Sequence, residues 1–361
     1  MKTRLYILMI LMPVAGLAQD FDTADYKITV DTSSAPDHFF SRDPLWRGAD
    51  GAASVDMGHG KVLWLFSDSF IATDSPFSRK KSVLVRNSIA IQEGYDPKTA
   101  SIKFYWNKTG KKPGAFFESE GKEWCWTGHG IMVKDRLLIF LIREKQTKQG
   151  LGFEATGWAA VLINNPADDP SSWKMKYIKA PETFGLIAGS AAVLKDEHYI
   201  YAYGAVEPSS HEVYVLRWPL DSAYKGNLSK PQWWINNSWI KRTKRLPIPE
   251  PLFYGQTEFS VHYDSSLKKY LQFQSFGFGM GSIGVRMADS LQGPWSGLHI
   301  FARPRPVAVI NPFMYSVKAH PELHTDGIYL TYNVNSFGFD DLLNNQSIYF
   351  PFFMRVKINR R

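Results

Sequence analysis

The chain carries a single cysteine, Cys125, in 361 residues, so no internal disulfide can form. Set between Trp124 and Trp126, that cysteine reads as a small buried hydrophobe rather than a nucleophile. Beyond its first residues the chain lacks any apolar run long enough to cross a bilayer, so no membrane span is expected. Long amphipathic helical patterns are missing too. No Gly-x-Ser-x-Gly elbow occurs, which removes the serine-hydrolase reading. Gly277-Phe278-Gly279-Met280-Gly281 lacks the strand-then-helix setting of a nucleotide loop and reads as a flexible rim loop. The histidines show no metal-ligand spacing, so no metal site and no cofactor is assigned; a Ca2+ ion at the axis of a ring of strand ends stays open. Basic residues outnumber acidic ones by eight but are scattered. Their one cluster, Lys241-Arg242-Thr243-Lys244-Arg245, reads as a solvated loop, and nucleic acid is not an expected partner.

The first 18 residues have the form of a secretory signal. Lys2 and Arg4 precede the apolar stretch Leu5 to Val14, and small residues at Ala15, Gly16 and Ala18 precede Gln19. Cleavage there would lower the net charge from +8 to +6 and leave residues 19–361 as one domain, periplasmic or secreted. No cysteine follows the cut, so no lipid anchor is expected.

What is abundant is aromatic: 15% of residues, with 12 Trp and 17 Tyr. Such content suits β-packing and carbohydrate stacking. A hairpin unit recurs five times. Its first strand opens on small residues and its second is apolar and aromatic. The copies pair Gly51–Met57 with Val62–Phe66, Gly128–Val133 with Leu137–Leu141, Gly189–Leu194 with Tyr199–Tyr203, Thr257–His262 with Tyr270–Phe273, and Ala319–Leu323 with Ile328–Tyr332. A repeat of this size built from short strands predicts an all-β, five-bladed β-propeller. Outer strands are expected near 87–92, 102–106, 157–163, 212–218, 282–287 and 352–358. Residues 21–45 are expected to close the ring by adding a strand to the last blade, and the Pro-rich stretch 243–251 to be a loop between blades.

A propeller gathers the first strand of every blade around one axis, so residues distant in sequence share a pocket. In the first hairpin, Gly58-His59-Gly60 is the turn, and Asp50 and Asp68 lie nine residues to either side of His59. A regular ladder opposes them at the open end, and a bulge shifts this by one residue. Two acids so placed would raise one another's pKa and suit proton transfer, or would simply cap turns; spacing leaves both readings standing. The same folding-back puts His129 and Arg143, Tyr203 and Glu207, Gln256, Glu258 and Gln274, and His320, Asn333 and Asn335 at the open ends of the other hairpins. Trp46, Trp126, Tyr254 and Phe276 are expected at the rim. Carboxylates and amides that grip hydroxyls, with aromatic faces beside them, suit an oligo- or polysaccharide. Glycoside cleavage needs two carboxyl groups flanking the scissile bond. Asp50 is the expected base or nucleophile, Glu258 the acid and Asp68 the tuning carboxylate; Glu322 and Asp56 lie towards the opposite end.

The segments Trp46-Arg47-Gly48-Ala49-Asp50-Gly51-Ala52-Ala53-Ser54 and Leu63-Trp64-Leu65-Phe66-Ser67-Asp68-Ser69 resemble the opening of five-bladed propellers known as domain of unknown function 4185. Ser67 and Ser69 stand where that pattern has glycine and threonine. Asn87-Ser88, His320-Pro321-Glu322 and Tyr332-Asn333-Val334-Asn335 are similar to it as well, and Ala288 to Trp295 resembles a blade element of furanosidase propellers. Some members of that group are endo-acting D-arabinanases. The resemblance therefore implies a glycoside hydrolase with acids in a central pocket, and its motif positions support Asp50 and Asp68. Glu258 rests on hairpin geometry alone. Arg47 and Asn87 fall within matching motifs and join Trp46, Trp126, His129, Arg143, Tyr203, Gln256, Gln274, His320, Asn333 and Asn335 as expected substrate-binding residues. The expected activity is hydrolysis of a plant or microbial polysaccharide, furanose-containing and arabinan-like. The alternative is a non-catalytic carbohydrate-binding propeller of a glycan uptake system, and a scaffold propeller is the third reading.

Overall fold

Alternating apolar residues broken by Gly, Asn and Asp turns fold into antiparallel hairpins because each strand must bury one or both faces. The computed structural model describes residues 25–361 apart from 34, 35, 120, 149, 151, 208, 209, 245 and 247. The expected secretory signal lies outside the described residues. Five antiparallel blade sheets follow one another along the chain, with a two-stranded ribbon, Asn107–Thr109 and Lys112–Gly114, between the first and second. The first comprises Trp46–Gly58, Lys61–Ala72, Ser88–Glu93 and Ser101–Tyr105, with Ser82–Val85 also paired to its second strand. The second comprises Trp124–Val133, Arg136–Gln146, Phe153–Ile163 and Met175–Lys179. Ala192–Lys195, Tyr199–Ala205, Glu212–Pro219, Gln232–Ile235 and Ser238–Ile240 build the third, whose third strand also pairs with Phe253–Tyr254. Ser260–Asp264, Lys269–Phe276, Ser282–Ala288 and His299–Ala302 build the fourth. In the fifth, Pro312–His320, Ile328–Ser336 and Phe352–Arg360 are joined by Tyr26–Asp31, which pairs antiparallel from Tyr26↔Arg360 to Asp31↔Arg355. The N-terminal segment thus closes the ring on the last blade.

The core is divided among the blade interfaces. Leu65, Ile89, Leu137 and Ile139 pack between blades one and two. Phe140, Trp158, Tyr214 and Trp218 fill the space between two and three. Tyr203, Val215, Phe259 and Val261 join three to four, and Phe273, Val285, Met314 and Tyr332 join four to five. Phe39, Phe40, Trp64, Tyr329 and Phe353 join five to one. Five sheets with a buried apolar seam at each of five junctions make a five-bladed β-propeller.

Two expectations shift in register. The third and fourth inner strands begin at Ala192 and Ser260, because Gly189–Ala191 and Thr257–Phe259 leave the regular ladder. The fifth inner strand is Pro312–His320, seven residues earlier than the placement at Ala319, and residues 321–327 are the turn. Lys318 lies inside that strand, and its ammonium pairs with an acid described below.

Closure is reinforced by Arg79, a fully buried residue in a short turn beside blade one. Its guanidinium donates to the carbonyls of Arg47 (2.8 Å), Leu342 (3.0 Å), Asn345 (2.7 Å) and Ile348. Replacing Arg79 with Met keeps an apolar stem and leaves four carbonyls without a donor. The expected loss is about 3–5 kcal/mol of unfolding free energy, measured by urea denaturation.

Candidate active site

The open ends of the inner hairpins surround a cavity of about 520 Å³. Asp50, Asp68, Trp126, Phe153, Gln256, Glu258, Tyr315, Asn335 and Tyr349 are among its lining residues. The first hairpin delivers two of the acids. Its ladder pairs Gly58 with Lys61 at the turn, then slips three times on the way to Ala49, so that Gly51 faces Phe66 and Ala49 faces Ser69. Asp50 therefore lies across from the Ser67–Asp68 pair. Ala52 holds φ 71°, the left-handed region that a non-glycine residue adopts only under local constraint.

Asp50 Oδ2 accepts hydrogen bonds from Tyr349 (3.1 Å) and Tyr315 (3.3 Å), while its buried Oδ1 has no protein partner. Gly48 makes this approach possible. With φ +110°, it has no Cβ where one would fall 2.3 Å from the Tyr349 carbonyl. Burial, then the charges of Asp68 and Glu258, raise Asp50 well above the ordinary aspartate range, although the two phenols oppose the shift. Burial raises Asp68 too, against the pull of Arg86 and of the Trp126 indole. Arg86 Nη1 stands 3.1 Å from Asp68 Oδ2, and Trp126 Nε1 donates to Oδ1 at 2.8 Å. Burial pushes the Tyr315 and Tyr349 phenols far above their usual values, so both remain donors.

Glu258 enters from blade four. Its Oε1 lies 3.0 Å from Lys318 Nζ in an ion pair and 3.0 Å from Ser316 Oγ. Lys318 is almost wholly buried. Ser316 Oγ also lies 3.0 Å from the Gly51 carbonyl, so one hydroxyl is shared between blades one and four. Ser316 holds φ 54°, and the ladder of its strand breaks between Tyr315 and Lys318. That break turns Tyr315 and Ser316 towards the acids. Tyr315, Ser316, Lys318, Tyr349 and Arg86 were missed in the sequence. The readable signal was the strand's true start at Pro312.

Of the other expected residues, Trp126, Gln256 and Asn335 line the cavity. Trp46 does not reach a rim. It is buried, stacked on Phe104 at 4.5 Å, with its indole donating to Ser88. Asn87 is structural, bonding the backbones of Phe117 and Cys125. Arg47 meets Gln346, and Arg143 pairs with Glu123 at the mouth of a separate cavity of about 310 Å³. Tyr203 is buried with its hydroxyl on the Leu291 carbonyl, and Gln274 is held by Arg286. Asn333 donates to the Ala49 carbonyl at 2.9 Å and so fixes the strand that carries Asp50. Tyr254 and Phe276 are exposed but do not line the cavity. For Arg143, Tyr203, Gln274 and Asn333 the hairpin arithmetic missed the face, because a one-residue slip reverses side-chain direction.

His129 and His320 sit below the cavity with His262. His320 bridges Ser54 and Thr331, His129 accepts from the Val193 amide, and burial lowers His129 and His262 to about 4. Glu322 and Asp56 line the cavity at the opposite end, as expected of residues near the hairpin turns. Among the described residues no group of three or more His, Cys, Asp or Glu is arranged to hold a metal. Cys125 is buried, which pushes its thiol up to about 11.

The family model described as Domain of unknown function (DUF5005) matches residues 34–358. The chain belongs to this family. Domain 4185, which the opening motifs resemble, is not the family that matches. No curated protein matches the chain. Among solved structures, a provisionally assigned hydrolase from Bacteroides ovatus superposes with a TM-score of 0.69 at 19% identity, covering 88% of this chain and 87% of that one. The catalytic domain of a GH62 α-L-arabinofuranosidase from Coprinopsis cinerea gives 0.48 at 11% identity, covering 93% and 98%. The GH43_1 enzyme from Xanthomonas citri, complexed with xylotriose, gives 0.45 at 13% identity, covering 91% and 90%. The Bacteroides ovatus structure shows the shared fold; what the DUF5005 chain does must come from its own site.

One buried acid lies outside the cavity lining. Glu144, on the second strand of blade two, is 3% exposed and its Oε2 has no partner. Burial, with the charges of Glu207 and Asp68, raises it to about 8. The unfolded chain releases this proton near pH 4.3 and the folded chain near 8, so folding is opposed increasingly across that window. Glu144→Gln is expected to leave stability unchanged at pH 4 and to raise it at pH 9 by about 2 kcal/mol, since relaxation and water entry relieve part of the full linkage. Urea unfolding at the two pH values measures this.

Proposed function

We propose that the chain is a glycoside hydrolase acting on a polysaccharide, with a furanose-containing, arabinan-like glycan as the specific expectation. The observation that carries this reading is the meeting, in one aromatic-walled cavity, of a proton-retaining acid with a free oxygen and an ion-paired carboxylate from a different blade. Asp50 supplies the first and Glu258 the second. Two carboxyls in different protonation states are what glycosidic cleavage requires.

In this reading Asp50 gives its proton to the departing glycosidic oxygen as the bond to the anomeric carbon breaks. Glu258 takes a proton from the attacking water or bonds to that carbon first, and water completes the exchange. Asp68 holds Asp50 protonated through its charge, and Tyr315 and Tyr349 fix the carboxyl by its other oxygen. The acid and base are then the reverse of the expectation from hairpin position, because Lys318 stands beside Glu258 while Asp50 has only neutral donors. Trp126 and Phe153 form one aromatic wall, their rings 4.7 Å apart. A working signal in residues 1–18 would place the enzyme in the periplasm or outside the cell.

Arabinan, arabinogalactan, xylan and fructan, with chromatography of products, test the activity. On the cleaved glycan, Asp50→Asn and Glu258→Gln are each expected to lower kcat about a thousandfold in protein whose circular dichroism shows it folded, with Glu258→Gln lowering the unfolding temperature because Lys318 loses its countercharge. A dinitrophenyl glycoside of the matching sugar, which needs no proton at its leaving group, separates the roles. Asp50→Asn is expected to keep most of its rate on that substrate, and Glu258→Gln to lose it. Glycan binding without product in the wild type would return the chain to the non-catalytic carbohydrate-binding reading.

A further inference from the structure

Phe278 is 87% exposed, the most exposed large apolar side chain among the described residues. It is nonetheless held in place. Its ring stacks on Phe337 at 5.7 Å and 18°, Phe337 on Phe313 at 4.4 Å and 30°, and Phe313 on Tyr315 at 5.4 Å and 29°. The column therefore starts in solvent and ends on the phenol that donates to Asp50. Phe313, Tyr315 and Phe337 all line the central cavity, and half-exposed Phe339 lines its edge.

The backbone is built to hold this arrangement. Phe278 sits between Gly277 (φ 87°) and Gly279 (φ 64°), left-handed positions that other residues adopt at a cost. The Gly279 carbonyl accepts from the Met314 amide at 2.9 Å, which ties the loop to the strand carrying Phe313 and Tyr315. The glycine-rich rim loop is thus joined to blade five at this bond. An apolar face continuous with a binding cavity marks an extension of that cavity.

We propose that Phe278, Phe337 and Phe313 form a lane for sugar residues beyond the scissile bond, so that the substrate is a glycan chain rather than a single terminal sugar. Sugar rings present apolar C–H faces that pack on aromatic surface while their hydroxyls stay in water, and Phe278, at the solvent end of the column, is open to such a ring while Phe337 and Phe313 continue the apolar surface to the cavity. The inference rests on the glycosidase reading for its substrate class.

The test uses Glu258→Gln protein, inactive under the mechanism above, with and without Phe278→Ala. Binding of arabinan, arabinogalactan, xylan and fructan, and of their tri- to octasaccharides, is measured by calorimetry. Phe278→Ala is expected to weaken binding of the longer oligosaccharides about tenfold and to leave the trisaccharide unchanged. Phe278→Trp should restore it. Phe278 is exposed, so both variants are expected to fold, and thermal unfolding checks this. Equal affinities at all lengths with and without Phe278, or no affinity of the parent for any glycan in the set, overturns the lane. So does concentration-dependent self-association, by sedimentation, that disappears in Phe278→Ala, because the face would then join two copies. Length-dependent loss of binding without hydrolysis by the wild type upholds the lane and removes the glycosidase reading.

Discussion

Pairing of Tyr26–Asp31 with Phe352–Arg360 is the constraint on which the rest depends. Without it the five sheets would be an open fan, with an unpaired edge on the last blade. With it, blade five is pressed against blade one, and the Phe40–Phe353 and Trp64–Phe353 ring contacts fill the seam. The site inherits this closure directly. Asp50 belongs to the first blade, yet its hydrogen-bond donors, Tyr315 and Tyr349, come from the last. The chemistry of the pocket is therefore set where the two ends of the chain meet, and Arg79 and Asn333 add polar ties across the same junction.

The pocket's electrostatics follow from uneven distribution of countercharge. Three carboxyls face one space, but cations are supplied to only two: Arg86 to Asp68 and Lys318 to Glu258. Asp50 receives phenols instead. Burial and the neighbouring charges of Asp68 and Glu258 both oppose ionisation of Asp50, so protonation falls on the acid with neutral partners. The fold obtains inequivalent acids from similar side chains by choosing what stands behind each.

The architecture was readable because hairpin repeats leave a pattern at the level of whole strands: small residues on inner strands, aromatics on the next, Gly and Asn at turns. Asp50 and Asp68 were readable because a Gly58-His59-Gly60 turn fixes distance along a ladder. Glu258 was placed by the same arithmetic although its strand starts later, at Ser260. What failed was direction within the ladder. Trp46 and Asn87 occupy the correct end of blade one and face its core. Tyr315 and Lys318 were hidden by a bulge at Ser316 that no composition rule announces. Tyr349 lies in the segment between Ile328–Ser336 and Phe352–Arg360, outside any strand, and reaches Asp50 only because Gly48 leaves room.

The single hydroxyl hydrogen of Ser316 stands between the Glu258 carboxylate and the Gly51 carbonyl, each 3.0 Å away. It cannot serve both equally. A carboxylate is the stronger acceptor of the two, so the hydrogen is drawn to Glu258 and the Gly51 carbonyl shares it weakly. A side chain of the last blade thus stands as the shared polar contact between an acid of blade four and the peptide beside Asp50 on blade one.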